Sequence, residues 1–243
     1  MTPDSLLPAD EAARLRSLHF HAILDSLHEA VFEELVRLTA QVFSLPISLI
    51  ALVDAEEAVY IANQGLGNQE TQPRVEALCA VAVRENRAIV LADLTREQEQ
   101  ERLTAEAVEA ARVRDLQFYA GVPLRMPDQR TIGTLCVIDH RPRTFSAAEQ
   151  QVLEHISDLV AQTIVVRHYC LLEGLGKEHW QAVQDLLVEE IAELVALVRY
   201  LVARLTVQIP VPEEVLNLVT RRLHDVYTLL RNYHLSKAPK SAG

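Results

Sequence analysis

Apolar positions along this chain recur first at helical spacing and then in strand-like runs. Residues 9–20 carry Leu15 and Leu18 on one side, which predicts a helix. Val31, Leu35, Leu38 and Val42 repeat at three- and four-residue steps. Ser26 with Glu29 makes a capping box in front of them, and Pro46 stops the helix. Ile47 to Val53 is a continuous apolar run rich in β-branched residues, the pattern of a strand buried on both faces. Asp54, Ala55, Glu56 and Glu57 make a turn, and residues 58–62 predict a hairpin partner. Residues 63–73, with Gly65 and Gly67, predict a polar loop. A short helix over 76–85 and a short strand over 88–92 follow. Residues 96–114 predict a charged, alanine-rich, exposed helix whose thin apolar stripe is Leu103, Ala107 and Ala110 or Ala111. Residues 117–124 and 131–138 predict two strands joined by a turn at Pro127, Asp128 and Gln129. Ser146 and Glu149 form a second capping box, opening a helix that runs to about Leu172.

This order predicts an α+β domain over residues 1–172, with a mostly antiparallel sheet of five to six strands flanked by helices. The remaining residues, 173–243, are purely helical in pattern. Gly174 and Gly176 break the preceding helix. Trp180, Leu187, Ile191, Leu194, Val198, Leu201 and Leu205 then define a stripe that Val183, Leu186, Val195 and Val202 widen. Pro210 and Pro212 interrupt the chain. Glu213 and Glu214 open another amphipathic helix with Val215, Leu218, Leu223, Val226, Leu230 and Tyr233 on its apolar side. Two such helices joined by a tight turn cannot bury their wide apolar faces alone. A homodimer of hairpins, with Leu187, Ile191, Leu194, Val198, Leu201 and Leu205 at its interface, is favoured over folding back onto the sheet domain.

Charge narrows the function classes. The formal net charge is −11. Beyond Cys170 acidic and basic residues nearly balance, so the acidity belongs to the first part. Such a surface repels phosphate backbones and argues against nucleic-acid partners. Three cysteines, Cys79, Cys136 and Cys170, stand at no metal-ligand spacing. The start Met1-Thr2-Pro3-Asp4 lacks a basic signal region, and no long uncharged apolar run occurs. A cytoplasmic protein with reduced thiols and no membrane association is expected. His19 and His21 lie two apart on a predicted helix and point to different faces, so no metal site is expected.

Several stretches resemble the GAF domains that stand at the front of bacterial sensor kinases and cyclic-dinucleotide enzymes. The carriers are Arg14-Leu15, Ile23-Leu24-Asp25 and Phe32, then Leu52-Val53-Asp54, Gly65-Leu66 and Leu78-Cys79-Ala80. The most specific are Phe118-Tyr119-Ala120-Gly121-Val122-Pro123-Leu124 and Ile132-Gly133-Thr134-Leu135-Cys136-Val137-Ile138-Asp139. The resemblance spans residues 14–166 and implies the fold, with a pocket near Tyr60, Asn63, Cys79, Val83, Asp93, Phe118, Tyr119 and Cys136. Departures matter for function. The family's aromatic and basic cluster on the second strand is here Ala58-Val59-Tyr60-Ile61-Ala62, and the His of its Cys-Ala-His element is Val81. The cyclic-nucleotide pattern and the Cys-His pair of bilin attachment are absent, so no cofactor is expected.

The hairpin has the outline of a histidine-kinase dimerisation unit, but His224-Asp225 sits on its second helix and no ATP-binding domain follows; a kinase is not expected. Asp93 with Thr95 reads better as a helix cap than as a ligand contact, and Cys136 in its apolar strand better as an inert thiol. The leading expectation is a bacterial regulatory sensor, not an enzyme, that binds a small molecule and signals through the dimeric hairpin. The alternatives are a ligand-free scaffold that docks a signalling protein and, last, a thiol-based reductase of free methionine sulfoxide using Cys79 and Cys136.

Overall fold

The computed structural model describes residues 7–24, 28–172, 175–205 and 209–237, leaving aside the side chains of residues 205 and 232–237. Its sheet has six strands: β1 (Ile47–Val53), β2 (Glu57–Gln64), β3 (Thr71–Pro73), β4 (Ile89–Leu91), β5 (Phe118–Arg125) and β6 (Thr131–Asp139). All neighbouring strands pair antiparallel, in the order β3-β2-β1-β6-β5-β4. The helices are α1 (Glu11–Phe20), α2 (Ala30–Phe43), α3 (Cys79–Glu85), α4 (Glu97–Gln100), α5 (Ala105–Val113), α6 (Ala147–Leu172), α7 (Lys177–Leu205) and α8 (Glu213–Lys237). None of the described helices is long and apolar enough to cross a membrane.

The α+β reading with a C-terminal helical hairpin therefore stands, and local differences have local causes. The expected loop over 63–73 contains β3, which pairs with β2 from Val59 to Glu57. The expected single helix over 96–114 is two, because Thr104 takes an extended backbone and caps a fresh start. Its hydroxyl accepts from Ala107 N at 3.0 Å and donates to the Val75 carbonyl. Ser26, the expected cap of α2, lies outside the described residues. The first helical residue is Ala30, and the Glu29 side chain is engaged elsewhere. At α6 the capping box is present as read: Ser146 N donates to Glu149 Oε2 at 2.7 Å, and Glu149 N to Ser146 Oγ at 3.1 Å.

The sheet separates two cores. One joins α2 and α6 to β residues such as Phe118, Val122 and Val137, and continues into α7 and α8. Helix α6 carries buried residues around most of its circumference, from Val152 and Ile156 to Leu159 and Val166, so it must be covered on several sides. The hairpin supplies that cover, with α7 against α2 and α8 against α6. This corrects the expected interface. Leu187, Ile191, Leu194 and Val198 are at most 1% exposed within a single chain, Leu201 is half-buried, and the Leu205 side chain lies outside the described residues. Gly176, at φ +88°, lets the chain leave α6 and turn back, its N–H donating to the Cys170 carbonyl at 2.8 Å.

Two carboxylates fasten the hairpin. Glu29 accepts from Arg167 Nε at 2.7 Å and from Trp180 Nε1 at 3.0 Å. Glu149, wholly buried, accepts from Arg143 at 2.5 Å and from Val211 N at 3.2 Å, just before α8. Arg143 also donates to the Phe43 carbonyl. Arg143 is buried with its partner by this packing.

Candidate functional site

The second core covers the other face of the sheet with α3, α5 and the segments around them. Strand pleating decides which side chains reach it. Tyr119 and its partner Ile138 point there, as do Leu49 and its partner Cys136. Phe118 and Val137, one position along, point to the helix-side core. A bulge opposite Ile50 and Ala51 sends Ile61 and Ala62 together to the helix side and leaves Tyr60 on this one.

These residues enclose a small cavity. Its floor is Leu49, Ala51, Tyr60, Tyr119, Cys136 and Ile138 on the sheet. Its walls are Leu66, Gln72, Glu76, Leu78 and Cys79 on one side and Ala111, Arg114 and Leu116 on the other. The volume is about 30 Å³. A single water needs about 10–15 Å³ on this measure, whereas pockets for drug-sized ligands run to roughly 300–1,000 Å³.

The polar groups are few and unequal. Tyr60 OH donates to Gln72 Oε1 at 2.6 Å, and Gln72 Nε2 donates to the Glu76 carbonyl at 3.0 Å. The Tyr119 hydroxyl lies over Gly121, where a Cβ would collide with it. It stands near Thr134 and Cys136 but makes no well-formed hydrogen bond, although Tyr119 is 1% exposed. Burial first, and then the neighbouring Cys136 and Cys79, hold its phenol well above the usual value of 10. Burial likewise pushes the Cys79 thiol up to about 12 and raises that of Cys136 further, the latter reinforced by Cys79. None of the three cysteines is in a disulfide among the described residues, and all three are buried. Thiols held protonated in this way are poor nucleophiles.

Of the residues expected in a pocket, Tyr60, Cys79, Tyr119 and Cys136 meet around this cavity. The other four do not. Phe118 faces the opposite core, packed near Phe145 with ring centroids 5.8 Å apart. Val83 is buried in α3 without reaching the cavity. Asn63 organises the following loop instead, accepting from Leu66 N at 3.0 Å and donating to the Gly67 and Gln69 carbonyls. Asp93 closes the turn ahead of α4, whose N-cap position is Arg96, instead of capping the helix: it accepts from Thr95 N at 3.1 Å and from Arg96 Nε at 3.2 Å. Sequence reasoning missed Gln72, Glu76 and Arg114. Gln72 and Glu76 sit shortly before Leu78-Cys79-Ala80 and could have been suspected from that proximity. Arg114 closes an alanine-rich helix and carries no periodic signal at all. His19 and His21 are engaged separately, with Asp54 Oδ1 at 3.0 Å and the Ser17 carbonyl at 2.7 Å.

Comparison with known proteins places these features. A cyclic di-GMP phosphodiesterase of Pseudomonas aeruginosa is 32% identical over 158 residues, which is 65% of this chain and 26% of that protein. The chain thus matches about a quarter of the relative's length. This likeness corrects the expectation that the chain is not an enzyme, because a protein similar to most of the chain over a quarter of its own length is named as one. The GAF domain of an Acinetobacter phosphoenolpyruvate-protein phosphotransferase is 18% identical, covering 69% of this chain and 97% of that one at a TM-score of 0.47. The PixJ GAF domain of Thermosynechococcus elongatus, in its blue-light absorbing form, is 17% identical over 66% and 92% of the two chains, also at 0.47. With the GAF domain family model matching residues 22–165, more than half of its length, the chain belongs to the GAF domain family.

Proposed function

We propose that this chain is a regulatory sensory domain in cyclic di-GMP signalling, with the cavity as its input and α6 and the hairpin as its output. The observation that carries the signalling context is the 32% identity to part of a protein named as a cyclic di-GMP phosphodiesterase. The geometry supplies a route. β5 and β6 present Tyr119 and Cys136 to the cavity and Phe118 and Val137 to the core of α2 and α6. A molecule that moved the cavity side would shift the packing of α6 across one thickness of sheet. Such a shift requires that the molecule bind two arrangements of the domain with different affinity. The hairpin would follow, because Glu29 and Glu149 tie it to both ends of this layer.

The test has two arms. Cellular cyclic di-GMP is measured by mass spectrometry in the host with and without the chain; a changed level is expected, and an unchanged one counts against the proposal. Purified chain is then incubated with cyclic di-GMP, and the linear dinucleotide product is followed. Its appearance would place phosphodiesterase chemistry within this chain, and its absence would leave the chain the regulatory part alone.

The 30 Å³ cavity favours a second reading, a ligand-free scaffold that docks another signalling protein. That reading requires no ligand-dependent change in stability. The reductase reading loses support, since burial holds both cavity thiols in their protonated form.

A further inference from the structure

Three aromatic rings meet where α1 joins α6, away from the cavity. His21 directly follows α1 and His168 lies near the end of α6. They are 7% and 8% exposed, and their ring centroids are 5.4 Å apart. Phe20 covers both, its centroid 4.5 Å from that of His168 and 5.3 Å from that of His21, while much of its own ring is open to solvent. Leu18 and Ile23, on either side of His21, belong to the helix-side core.

The hydrogen bonds suit neutral rings. His21 Nδ1 donates to the Ser17 carbonyl at 2.7 Å, which in the neutral ring leaves Nε2 without a proton. His168 Nδ1 is buried with no hydrogen-bond partner, so a proton added there would be a donor without an acceptor. The charged groups around the pair do little to favour that proton. Arg167 of α6 is held by Glu29, just ahead of α2. Asp128, in the β5–β6 turn, acts on His21 without bonding to it, and its Oδ1 accepts from Arg130 N at 3.1 Å. Burial is the largest influence on His21. Together with His168 it outweighs the Ser17 carbonyl and Asp128 and holds the imidazole below its usual 6.5. On α1 itself His19 pairs with Asp54, so a proton there tightens the helix instead of freeing it.

We propose that this junction is an acid-sensitive latch: the neutral pair holds the end of α1 on α6, and acidification releases it. A released ring takes up its proton in water, whereas the docked pair must stay neutral or keep an unpartnered charge beside a second imidazole. Docking is therefore complete above about pH 6.5 and weakens as the pH falls below it. The helix is lightly held, since its buried residues are Arg14, Ser17 and Leu18. Release also reaches the hairpin. The Ala22 carbonyl accepts from Arg167 Nη1 at 3.1 Å, and Glu29, which holds Arg167, also holds Trp180 of α7.

Hydrogen exchange of the full chain tests this, read by mass spectrometry at about pH 7.5 and pH 5 and corrected for the intrinsic pH dependence of exchange. Strand β1 is the internal standard. Protection of α1 should fall by about tenfold or more relative to β1, and the first turns of α7 should follow in the same direction. In the double variant His21→Asn/His168→Phe, which keeps a donor toward Ser17 and a ring under Phe20, the pH dependence should vanish. Thermal melts at neutral pH establish that it is folded. The two single variants should each reduce the loss, which keeps the test open if the double variant does not fold. Protection of α1 that keeps pace with β1 in the wild type would overturn the proposal, as would an undiminished loss in the double variant or in both single ones. A loss confined to α1 would uphold the latch and overturn its link to the hairpin.

Discussion

The two faces of the sheet are built to different standards. On the helix side, α2, α6, α7 and α8 are long, and their buried leucines, isoleucines and valines interlock with the rings of Phe43, Phe118 and Phe145. Its buried ions are paired, with Arg143 on Glu149. On the cavity side the cover is two short helices, α3 and α5, with the segments around them, and α5 contributes mainly alanine. There a small cavity persists under the sheet, while buried polar atoms without a well-formed hydrogen bond occur on both faces, the Tyr119 hydroxyl on this one and Gln184 Oε1 on the other. A domain whose stability is concentrated on one face can tolerate a loose and imperfectly satisfied arrangement on the other, and low local stability is where binding elements are found.

Variants that attack the tight face should have the largest effects. Glu149→Ala leaves the Arg143 guanidinium buried beside the Phe43 carbonyl without its carboxylate, and also frees Val211 N and the cap of α6. A loss of about 3–5 kcal/mol is expected in urea unfolding. Leu187→Ala opens a cavity between α7 and α2 and should cost about 2–5 kcal/mol. Because the hairpin shares the core of α6, unfolding should remain a single transition; a separate early transition of the hairpin would break the picture of one continuous core.

On the loose face the same kind of measurement should shrink. Tyr119→Phe removes a buried hydroxyl whose contacts with Thr134 and Cys136 are poorly formed, and should cost less than about 1 kcal/mol in thermal melts, where a well-bonded buried tyrosine would lose more. Thr104→Ala removes the cap of α5 and its bond to Val75, for a loss of about 1 kcal/mol. Hydrogen exchange should quicken in α5 and leave α6 unchanged. A pH-dependent effect concerns Glu11 of α1. Burial would raise the Glu11 carboxyl, but its bonds to Arg14 and Arg74 prevail and hold it at about 2, below its usual 4.5. Its contribution is therefore present above about pH 4.5 and lost as the pH falls toward 2. The stability difference between the wild type and Glu11→Gln should disappear over that window.

Legibility in the sequence followed the same division. Val31, Leu35, Leu38 and Val42 marked α2, and Ser146 with Glu149 marked the start of α6, because helical spacing and capping are local properties. The strands Ile47–Val53 and Phe118–Arg125 were visible for the same reason. The cavity was half legible. Tyr60, Cys79, Tyr119 and Cys136 were named through the family resemblance, but Phe118 was placed with Tyr119 although adjacent strand residues face opposite ways. Arg114 and Glu76 were not legible, because only the tertiary fold brings them to the cavity wall.

The hairpin shows most plainly where local information ends. The spacing of Leu187, Ile191, Leu194 and Val198 determined that α7 has a wide apolar face requiring cover, and it did so from this chain alone. Which surface provides the cover is a matter of competition between α2 of the same chain and a second copy, and periodicity is identical in both cases. Packing resolved it. A tethered surface meets α7 without the loss of translational freedom that a second chain must incur, and the carboxylates of Glu29 and Glu149 hold the register once the faces meet.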